Sequence, residues 1–457
     1  MLEGESLMER VSDLGRWLAG ATGVQGAAQR LLDRQKRNGL KWAAGLLRPK
    51  AAAAVAATRV DPGNYRPGRS TVLCLTRPHF SLDIEQLRKL DHVNWIGLNL
   101  ILLGEMQRAW AQPGMQQQTF YQATLADPSC AAGWQRMNAF ALGVLQRINS
   151  RYPLGGLLCA NIDYWQAEAF RHAAHQLGLP FLVLSRENLL TRYDERLILQ
   201  RYSGFRFEGD AVAVFGEWMR DALIRTGCVR EEQIVVTGAP RLDVWNRAAA
   251  SEVERDCVVL ISFADPNYYA PETFRITLHR FVATATRNAA SPVRFVIKAK
   301  GNEDWQMILA MCEGGLPSNV ELTKDAALDR LLPRARLVVG FNSMAVFDAL
   351  FTRAPVATPD MLETRAAKDY LMFDPDDALC QDVLRFYRQP DELDLLLDSA
   401  VNGALVVEQN DEQRRRLIGR FVHFPEAGSA TESVERFVVE KLGRRPAQEG
   451  RATRLAA

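Results

Sequence analysis

Apolar runs that suit β-strands alternate with helical patterns over residues 256–359, and this alternation constrains the fold more than any other feature. The runs occupy residues 257–262 and 294–298, and a strand, turn, helix and strand follow over 337–358. Uninterrupted apolar strands are typical of parallel sheets that helices cover on both faces. A second series of the same kind runs from Thr71 to Thr237. The pattern predicts an α/β fold with two doubly wound, Rossmann-like domains that face a cleft.

The chain has 457 residues, which is too long for one ordinary hydrophobic core. We predict a helical, basic N-terminal appendage over 1–68 and a first Rossmann-like domain over 69–247. An Ala- and Glu-containing segment at 248–254 is the predicted linker. A second Rossmann-like domain is expected over 255–430, and a C-terminal helix with a basic tail over 431–457.

Composition excludes several classes of protein. The formal net charge is +2, so nothing global indicates a nucleic-acid partner. The seven cysteines form no Cys-x-x-Cys pair, which favours a reducing, cytoplasmic location. No apolar run approaches the roughly 18 residues of a membrane span, and no secretory signal is visible. Residues 30–50 are basic with interleaved Trp and Leu, which is typical either of a solvated helix or of one lying on the inner membrane surface.

Polar residues at strand ends predict a site in the second domain. Ligands of doubly wound sheets bind outside the carboxyl ends of the strands. Ser262 ends the first strand of this domain, and the turn Asn342–Ser343 follows a later strand and opens a helix. Free backbone N–H groups at a helix start favour a phosphate. Lys298 and Lys300 follow another strand and lie on the same side of it by strand alternation.

Three passages resemble the GT-B class of glycosyltransferases, in particular bacterial surface-polysaccharide enzymes. The first is 160–188, where a Gly-Leu-Pro turn leads into a strand, and the second runs from 214 to Gly-Ala-Pro-Arg-Leu-Asp at 238–243. The third is Phe-Asn-Ser-Met-Ala-Val-Phe-Asp-Ala-Leu at 341–350, followed by Ala-Pro-Val. The resemblance covers roughly residues 69–442. It implies metal-independent transfer of a sugar from a nucleotide-activated donor, with UDP or CMP as the nucleotide and no other cofactor, to a glycan or lipid-linked acceptor.

The resemblance assigns donor roles in the second domain. Ser343 matches the small residue that faces the donor phosphates, and Asn342 shares that role. Asp348 stands where many family members have a Glu that holds a ribose hydroxyl, and the Asp is one methylene shorter. Lys298 or Lys300 matches the basic residue that neutralises the diphosphate, although the family's usual Lys/Arg-x-His-Pro form is absent. Ser262 is expected to line the same site, unless it serves only the turn.

The first domain supplies the expected acceptor side. Glu187 follows a strand and is the first candidate for the general base that deprotonates the acceptor hydroxyl. The structural alternative is a helix-start acid with Ser185 as its N-cap. Asp163 is the second candidate base, unless it caps the following helix. Arg241 either contacts the donor phosphate or pairs with Asp243.

Other functions remain open at this stage. A nucleotide-sugar epimerase of the same fold needs no acceptor, and a polyol-phosphate transferase would use a CDP-linked donor. A non-catalytic binding or assembly protein would account for the missing His-Pro and the shorter Asp348. His79 is a minor candidate for the acceptor site. We interpret His172 and His175, and the Asp-Pro-Asp-Asp run at 374–377, as surface and turn residues rather than metal ligands.

Overall fold

Two six-stranded parallel sheets form the centre of the molecule. The computed structural model describes residues 48–187, 189–245, 253–264, 270–312, 315–366, 368–405, 411–425 and 428–443. Within them the first sheet has the order β2-β1-β3-β4-β5-β6 and the second the order β12-β11-β10-β7-β8-β9. Every paired strand is parallel to its neighbour. These two doubly wound sheets confirm the predicted fold class.

The first domain is the first sheet with its surrounding helices. Its strands are β1 Ser70–Thr76, β2 Val93–Asn99, β3 Leu154–Cys159, β4 Phe181–Leu184, β5 Ala211–Val214 and β6 Ile234–Val236. Its helices are α1 Pro49–Ala57, α2 Ser81–Leu87, α3 Leu100–Gln107, α4 Ala131–Arg151, α5 Trp165–Gln176, α6 Arg192–Arg201 and α7 Glu217–Thr226. Strands β3, β4 and β5 are almost entirely buried, which is why their apolar runs show no alternation.

The second domain repeats the design. Its strands are β7 Cys257–Ile261, β8 Arg294–Lys298, β9 Val320–Thr323, β10 Ala335–Val339, β11 Val356–Pro359 and β12 Arg385–Tyr387. Its helices are α8 Pro271–Arg287, α9 Asn302–Met311, α10 Leu328–Leu331, α11 Met344–Ala349, α12 Leu362–Ala366, α13 Ala378–Val383, α14 Pro390–Val401 and α15 Asp411–Gly419. Both edge strands, β9 and β12, were missed in the sequence analysis.

The C-terminal helix α16, Ala430–Gly443, returns to the first domain. Asp243 starts it, because this carboxylate accepts from the backbone N–H of Ala430 (3.1 Å) and of Thr431 (2.8 Å). Glu435 of this helix bonds His92 at 2.8 Å, and Leu442 packs over the glycines of β3. The last helix therefore packs on the surface of the first domain.

Several predictions concern residues beyond the described part of the chain. These are the basic stretch up to residue 47, most of the predicted linker, and the tail after 443. Residues 48–68 represent the appendage, and Ala52, Ala53 and Ala56 of α1 are completely buried against α4. The last helix begins at Ala430, one residue before its predicted range, and the domain boundaries themselves stay predictions.

Candidate functional site

The second sheet reverses its strand order between β7 and β10, which is the switch point of a doubly wound sheet. Val339 of β10 lies beside Leu260 of β7, so the two carboxyl ends are neighbours. Gly340, which directly follows β10, lies close to both α11 and the end of β7. A Cβ at this glycine would lie 2.5 Å from Cγ2 of Val346 and 3.1 Å from Cβ of Ile261. The glycine therefore lets α11 pack tightly onto the switch point.

Ser262 directly follows β7 at this point, and the residue is only 2% exposed. Its hydroxyl donates to Oδ1 of Asp304 at 2.7 Å, and the other oxygen of Asp304 accepts from the backbone N–H of Lys300 at 2.7 Å. Ser262 thus helps to fix the loop after β8, on which the exposed Lys300 stands. Ser262 therefore contributes to the predicted donor site indirectly, by holding Asp304 and through it the loop that carries Lys300.

Lys298 occupies the carboxyl end of β8 and is half-buried. Its ammonium group donates to the carbonyl of Lys324 at 2.6 Å and to that of Ala299 at 3.3 Å. Burial lowers the pKa of Lys298, and the nearby carboxylates of Asp325 and Asp304 oppose that shift. Lys298 is therefore held by the loop after β9, and Lys300 is the more accessible of the two lysines.

The turn Asn342–Ser343 joins β10 to α11. Asn342 has a positive φ of 44°, a conformation that Asn tolerates better than most residues. Its side chain donates to the carbonyl of Tyr370 at 2.6 Å and accepts from the N–H of Met372 at 2.9 Å. Ser343 is the N-cap of α11, since its hydroxyl oxygen accepts from the N–H of Ala345 at 3.3 Å. Because this hydroxyl oxygen acts as an acceptor there, its O–H remains able to donate a hydrogen bond to a phosphate oxygen.

Asp348, also on α11, lies against residues of the first domain. Its Oδ1 is buried and has no hydrogen-bond partner in the described structure. Burial raises the pKa of this carboxyl to about 7, while Arg241 and a hydrogen bond from the Trp245 side chain act in the opposite direction. An incompletely satisfied carboxyl at the domain junction is suited to accept from a ligand hydroxyl.

Arg241 reaches this junction from the turn after β6. Its backbone N–H donates to Oδ1 of Asp83 at 3.0 Å, and its guanidinium lies 3.3 Å from Oδ2 of the same carboxylate. Asp83 is fully buried, and burial raises its pKa while Arg241 and Arg186 oppose that shift. The Nε of Arg186 is buried without a hydrogen-bond partner among the described residues. Arg241 therefore pairs with Asp83 rather than with Asp243.

Glu187 lies in the loop after β4, not at a helix start. The next helix, α6, begins after its N-cap Thr191, so Ser185 does not cap it. The side chain of Glu187 is half-buried and accepts from Nδ2 of Asn161 at 3.4 Å. Asn161 itself follows β3, and the end of β3 lies beside the end of β4. The carboxylate of Glu187 is thus at the carboxyl edge of the first sheet.

Asp163 is fully buried one loop away. Its Oδ2 accepts from Nε of Arg201 at 2.6 Å, whereas its Oδ1 has no partner in the described structure. Burial raises the pKa of Asp163, Arg201 opposes the shift, and the charge of Glu187 adds to it. Asp163 does not cap α5, whose N-cap is Tyr164. With no exposed surface Asp163 is placed to order the loop around Glu187, and Glu187 is the better-placed candidate base.

Between the domains lies a cavity of about 730 Å³. Leu190 and Trp218 line it from the first domain, and Leu371 and Met372 line it from the loop that Asn342 anchors. None of the predicted site residues lines this cavity, although Leu190 belongs to the loop that carries Glu187 and Met372 donates to Asn342. The volume suits a small ligand.

The remaining polar candidates serve local structure. His175 bonds Asp210 at 3.0 Å and His172 bonds Gln176 at 2.9 Å. Asp377 caps α13 and pairs with Arg420 at 2.7 Å. The side chain of His79 lies outside the described part of the chain. In that part no cluster of three or more His, Cys, Asp or Glu side chains is arranged to hold a metal, and no helix is both long and apolar enough to span a bilayer.

Sequence reasoning missed the partners that organise the site. These partners are Asp83, Arg186, Asn161, Arg201, Trp245 and Asp304. Asp83 and Arg241 are 158 positions apart, and no local pattern announces such a pair. Asn161 is the exception, since it follows a buried strand and strand ends carry sites in this fold.

No protein-family model matches the chain, and no curated protein matches its sequence. Solved structures do resemble it. A UDP-GlcNAc 2-epimerase from Neisseria meningitidis bound to UDP-GlcNAc has a TM-score of 0.46 at 10% identity, over 81% of this chain and 100% of its own. The glycotransferase of kitacinnamycin has a TM-score of 0.43 at 16% identity, over 82% and 99%. MnaA of S. aureus, with UDP, has a TM-score of 0.43 at 12% identity, over 84% and 100%. At these scores the likenesses carry no information about the activity of this chain.

Proposed function

We propose that this chain is a nucleotide-sugar enzyme of the GT-B kind, which transfers the sugar to an acceptor hydroxyl. The observation that carries the proposal is the strand order of the second sheet, 9-8-7-10-11-12 when read from β9. This is the order of doubly wound sheets that bind nucleotides across the crevice at the switch point. Here that crevice lies beside Ser343 and opens toward the first domain.

The donor phosphates have a set of suitable partners. Ser343 offers a hydroxyl group, and the exposed Lys300 lies in the loop after β8, which is separated from β10 by β7. Arg241 comes from the opposite domain and interacts electrostatically with Asp348. A guanidinium between two carboxyl groups keeps donors for a phosphate, because it has five N–H groups. We assign to Arg241 and Lys300 the role of stabilising the negative charge that builds up on the phosphates of the departing nucleotide.

The sugar and the acceptor would meet between the two sheets. In the reaction the acceptor oxygen attacks the anomeric carbon, and the bond from that carbon to the phosphate oxygen breaks. The acceptor proton passes to Glu187, and the nucleotide leaves with its negative charge. Glu187 suits the base role because it is half-buried at the carboxyl edge of the first sheet. A Glu187→Gln change would keep the shape and remove the base.

The test is a turnover assay with purified protein and a panel of UDP-, GDP-, CDP- and CMP-activated sugars, with and without glycan acceptors. The expected result is release of free nucleotide only when an acceptor is present. NMR of the products should show the sugar attached to the acceptor. Conversion of the donor sugar to an epimer without any acceptor would replace the transferase by an epimerase. No reaction and no binding of any nucleotide would overturn the assignment of the site.

Variants localise the activity. Arg241→Ala and Glu187→Gln should each lower kcat by about 100-fold or more, which is the usual range for removing an electrostatic or acid–base group. The matched control is Arg230→Ala, since Arg230 is an exposed arginine of the same domain paired with Glu232. Equal activity of Arg241→Ala and Arg230→Ala would refute the phosphate role of Arg241.

A further inference from the structure

A second cavity, of about 700 Å³, lies in the second domain behind Trp245. Its walls come from the segment after α11, from α15 and from the segment before α16. The proposed cleft site involves Ser343 and Asp348 of the α11 region together with Arg241, Lys300 and Glu187, and none of these five residues lines this cavity. It is therefore a different site from the cleft.

The charge of the cavity walls is strongly positive. Arg353, Arg414 and Arg415 line it, and among the lining residues Asp411 is the only carboxylate. Asp411 pairs with Arg353 at 3.4 Å, which leaves a net charge of about +2 on these four side chains. Such an excess of arginine in a concave site attracts phosphate, because guanidinium binds phosphate oxygens in a bidentate manner.

Arg414 is held in place by the backbone. Its Nη1 donates to the carbonyls of Leu350 (3.4 Å), Ala354 (3.4 Å) and Thr352. Burial lowers the pKa of Arg414, and the positive charges of Arg255 and Arg353 lower it further against the effect of Asp411. The arginines thus repel one another in a partly desolvated place, and a bound anion would relieve that repulsion.

Aromatic rings form the other side of the cavity. Phe351 and Phe424 both line it, with ring centroids 5.3 Å apart, and both are half-buried. Behind Phe351 the buried Trp245 stacks on it at 6.3 Å. Aromatic faces beside arginines are typical of sites that bind a base together with its phosphates.

We propose that this cavity binds a nucleoside phosphate, with the phosphates on Arg353 and Arg415 and the base against Phe351 and Phe424. The proposal is independent of the enzymatic function assigned to the cleft. Trp245 connects the two places, since its ring stacks on Phe351 and its side chain bonds Asp348. Occupation of the cavity would therefore act on the cleft through Trp245.

The experiment is isothermal titration of the full chain with UDP, CDP, GDP, ADP and inorganic pyrophosphate. The key variant is Arg415→Glu, and the matched control is Arg416→Glu. Both arginines are exposed on α15, and Arg415 lines the cavity whereas Arg416 does not. We expect at least one nucleotide to bind about tenfold or more weakly to Arg415→Glu, as for the loss of a charged phosphate contact, and normally to Arg416→Glu.

Two further proteins separate the cavity from the cleft. Arg241→Ala alters the cleft and should leave nucleotide binding in the cavity intact. Phe424→Leu should weaken the binding of the nucleotide and leave the binding of pyrophosphate unchanged. Thermal midpoints without ligand show whether each variant is folded. The proposal is overturned if no nucleotide binds, or if Arg415→Glu and Arg416→Glu bind alike. It is also overturned if binding disappears in Arg241→Ala alone, or if pyrophosphate binds as tightly as every nucleotide.

Discussion

The carboxyl group of Asp348 titrates in an unusual range because it is buried at the domain junction. Its folded pKa of about 7 lies above the ordinary value of 3.8. Between those pH values the folded state therefore holds a proton that the unfolded state has lost. The contribution of this group to the free energy of unfolding falls as the pH rises through that window, by at most about 1.4 kcal/mol per pH unit, and is constant above it.

We expect Asp348→Asn to remove this dependence. The free energy of unfolding of the variant minus that of the wild type should increase from about pH 4 to pH 7 and then stay level. Urea titrations at several pH values measure the difference. Asp377→Asn is the control of opposite sign, because Arg420 lowers the pKa of Asp377 and its contribution is lost as the pH falls. Parallel curves for Asp348→Asn and the wild type would contradict the assigned pKa.

A substitution at Asp163 tests how much a buried ion pair contributes to the free energy of unfolding. The carboxylate is fully buried, whereas the side chain of its partner Arg201 is 26% exposed. Asp163→Ala leaves that arginine without its partner, so the free energy of unfolding should fall by about 3 kcal/mol, the low end for a broken buried pair. In the control, Glu232→Ala, the pair with Arg230 is exposed at both ends, and no measurable change is expected. Similar losses in the two variants would show that burial does not set the value of the Asp163 pair.

At the scale of elements, two glycines provide a matched pair. Gly216 and Gly301 are the N-cap residues of α7 and α9, and both have extended backbone. A Cβ at Gly216 would lie 2.5 Å from the carbonyl oxygen of Phe421, whereas a Cβ at Gly301 meets no atom within 4 Å. Gly216 is therefore where the segment before α16 crosses the end of β5.

The prediction concerns the same substitution at both sites. Gly216→Ala should lower the free energy of unfolding by about 2 kcal/mol or more, because backbone must move to admit the methyl group. Gly301→Ala should change it by less than about 1 kcal/mol, the usual size of a change at an N-cap. Denaturant midpoints of the two variants check this. A small effect at both positions would mean that the crossing segment yields easily.

In the second sheet the central strands were predicted better than the edges, whereas both edge strands of the first sheet, β2 and β6, were predicted. Strands such as β3 and β7 were predicted because burial on both faces leaves an uninterrupted apolar run. The edge strands β9 (Val-Glu-Leu-Thr) and β12 (Arg-Phe-Tyr) were missed because a charged residue breaks each short apolar run, whereas the equally short edge strand β6 is Ile-Val-Val. Strand ends were placed correctly for the same reason as the central strands. The side chains that bond the residues at these strand ends were not predicted, because a pair such as Arg241 and Asp83 depends on tertiary packing.

At the scale of the whole molecule, the larger of two buried apolar clusters among the described residues extends across both domains, and the smaller lies within the second domain. The largest buried cluster joins residues of both sheets, including Val72 of β1 and Val338 of β10. Phe421 belongs to this cluster, and its ring lies 5.5 Å from that of Phe347 and 6.1 Å from that of Trp218. These two rings belong to the second and the first domain respectively. A shared core of this kind couples the unfolding of the domains.

We therefore expect a single cooperative thermal transition, with equal calorimetric and van't Hoff enthalpies. Phe421→Ala should lower the free energy of unfolding by about 3–5 kcal/mol, as for other buried Phe truncations, and should shift the whole transition without splitting it. Phe120→Ala is the control, because Phe120 is a 73% exposed phenylalanine. Calorimetry together with tryptophan fluorescence measures both variants. Two separate transitions in the wild type would show that each sheet is stable on its own, and a split only in Phe421→Ala would show that this one ring couples them.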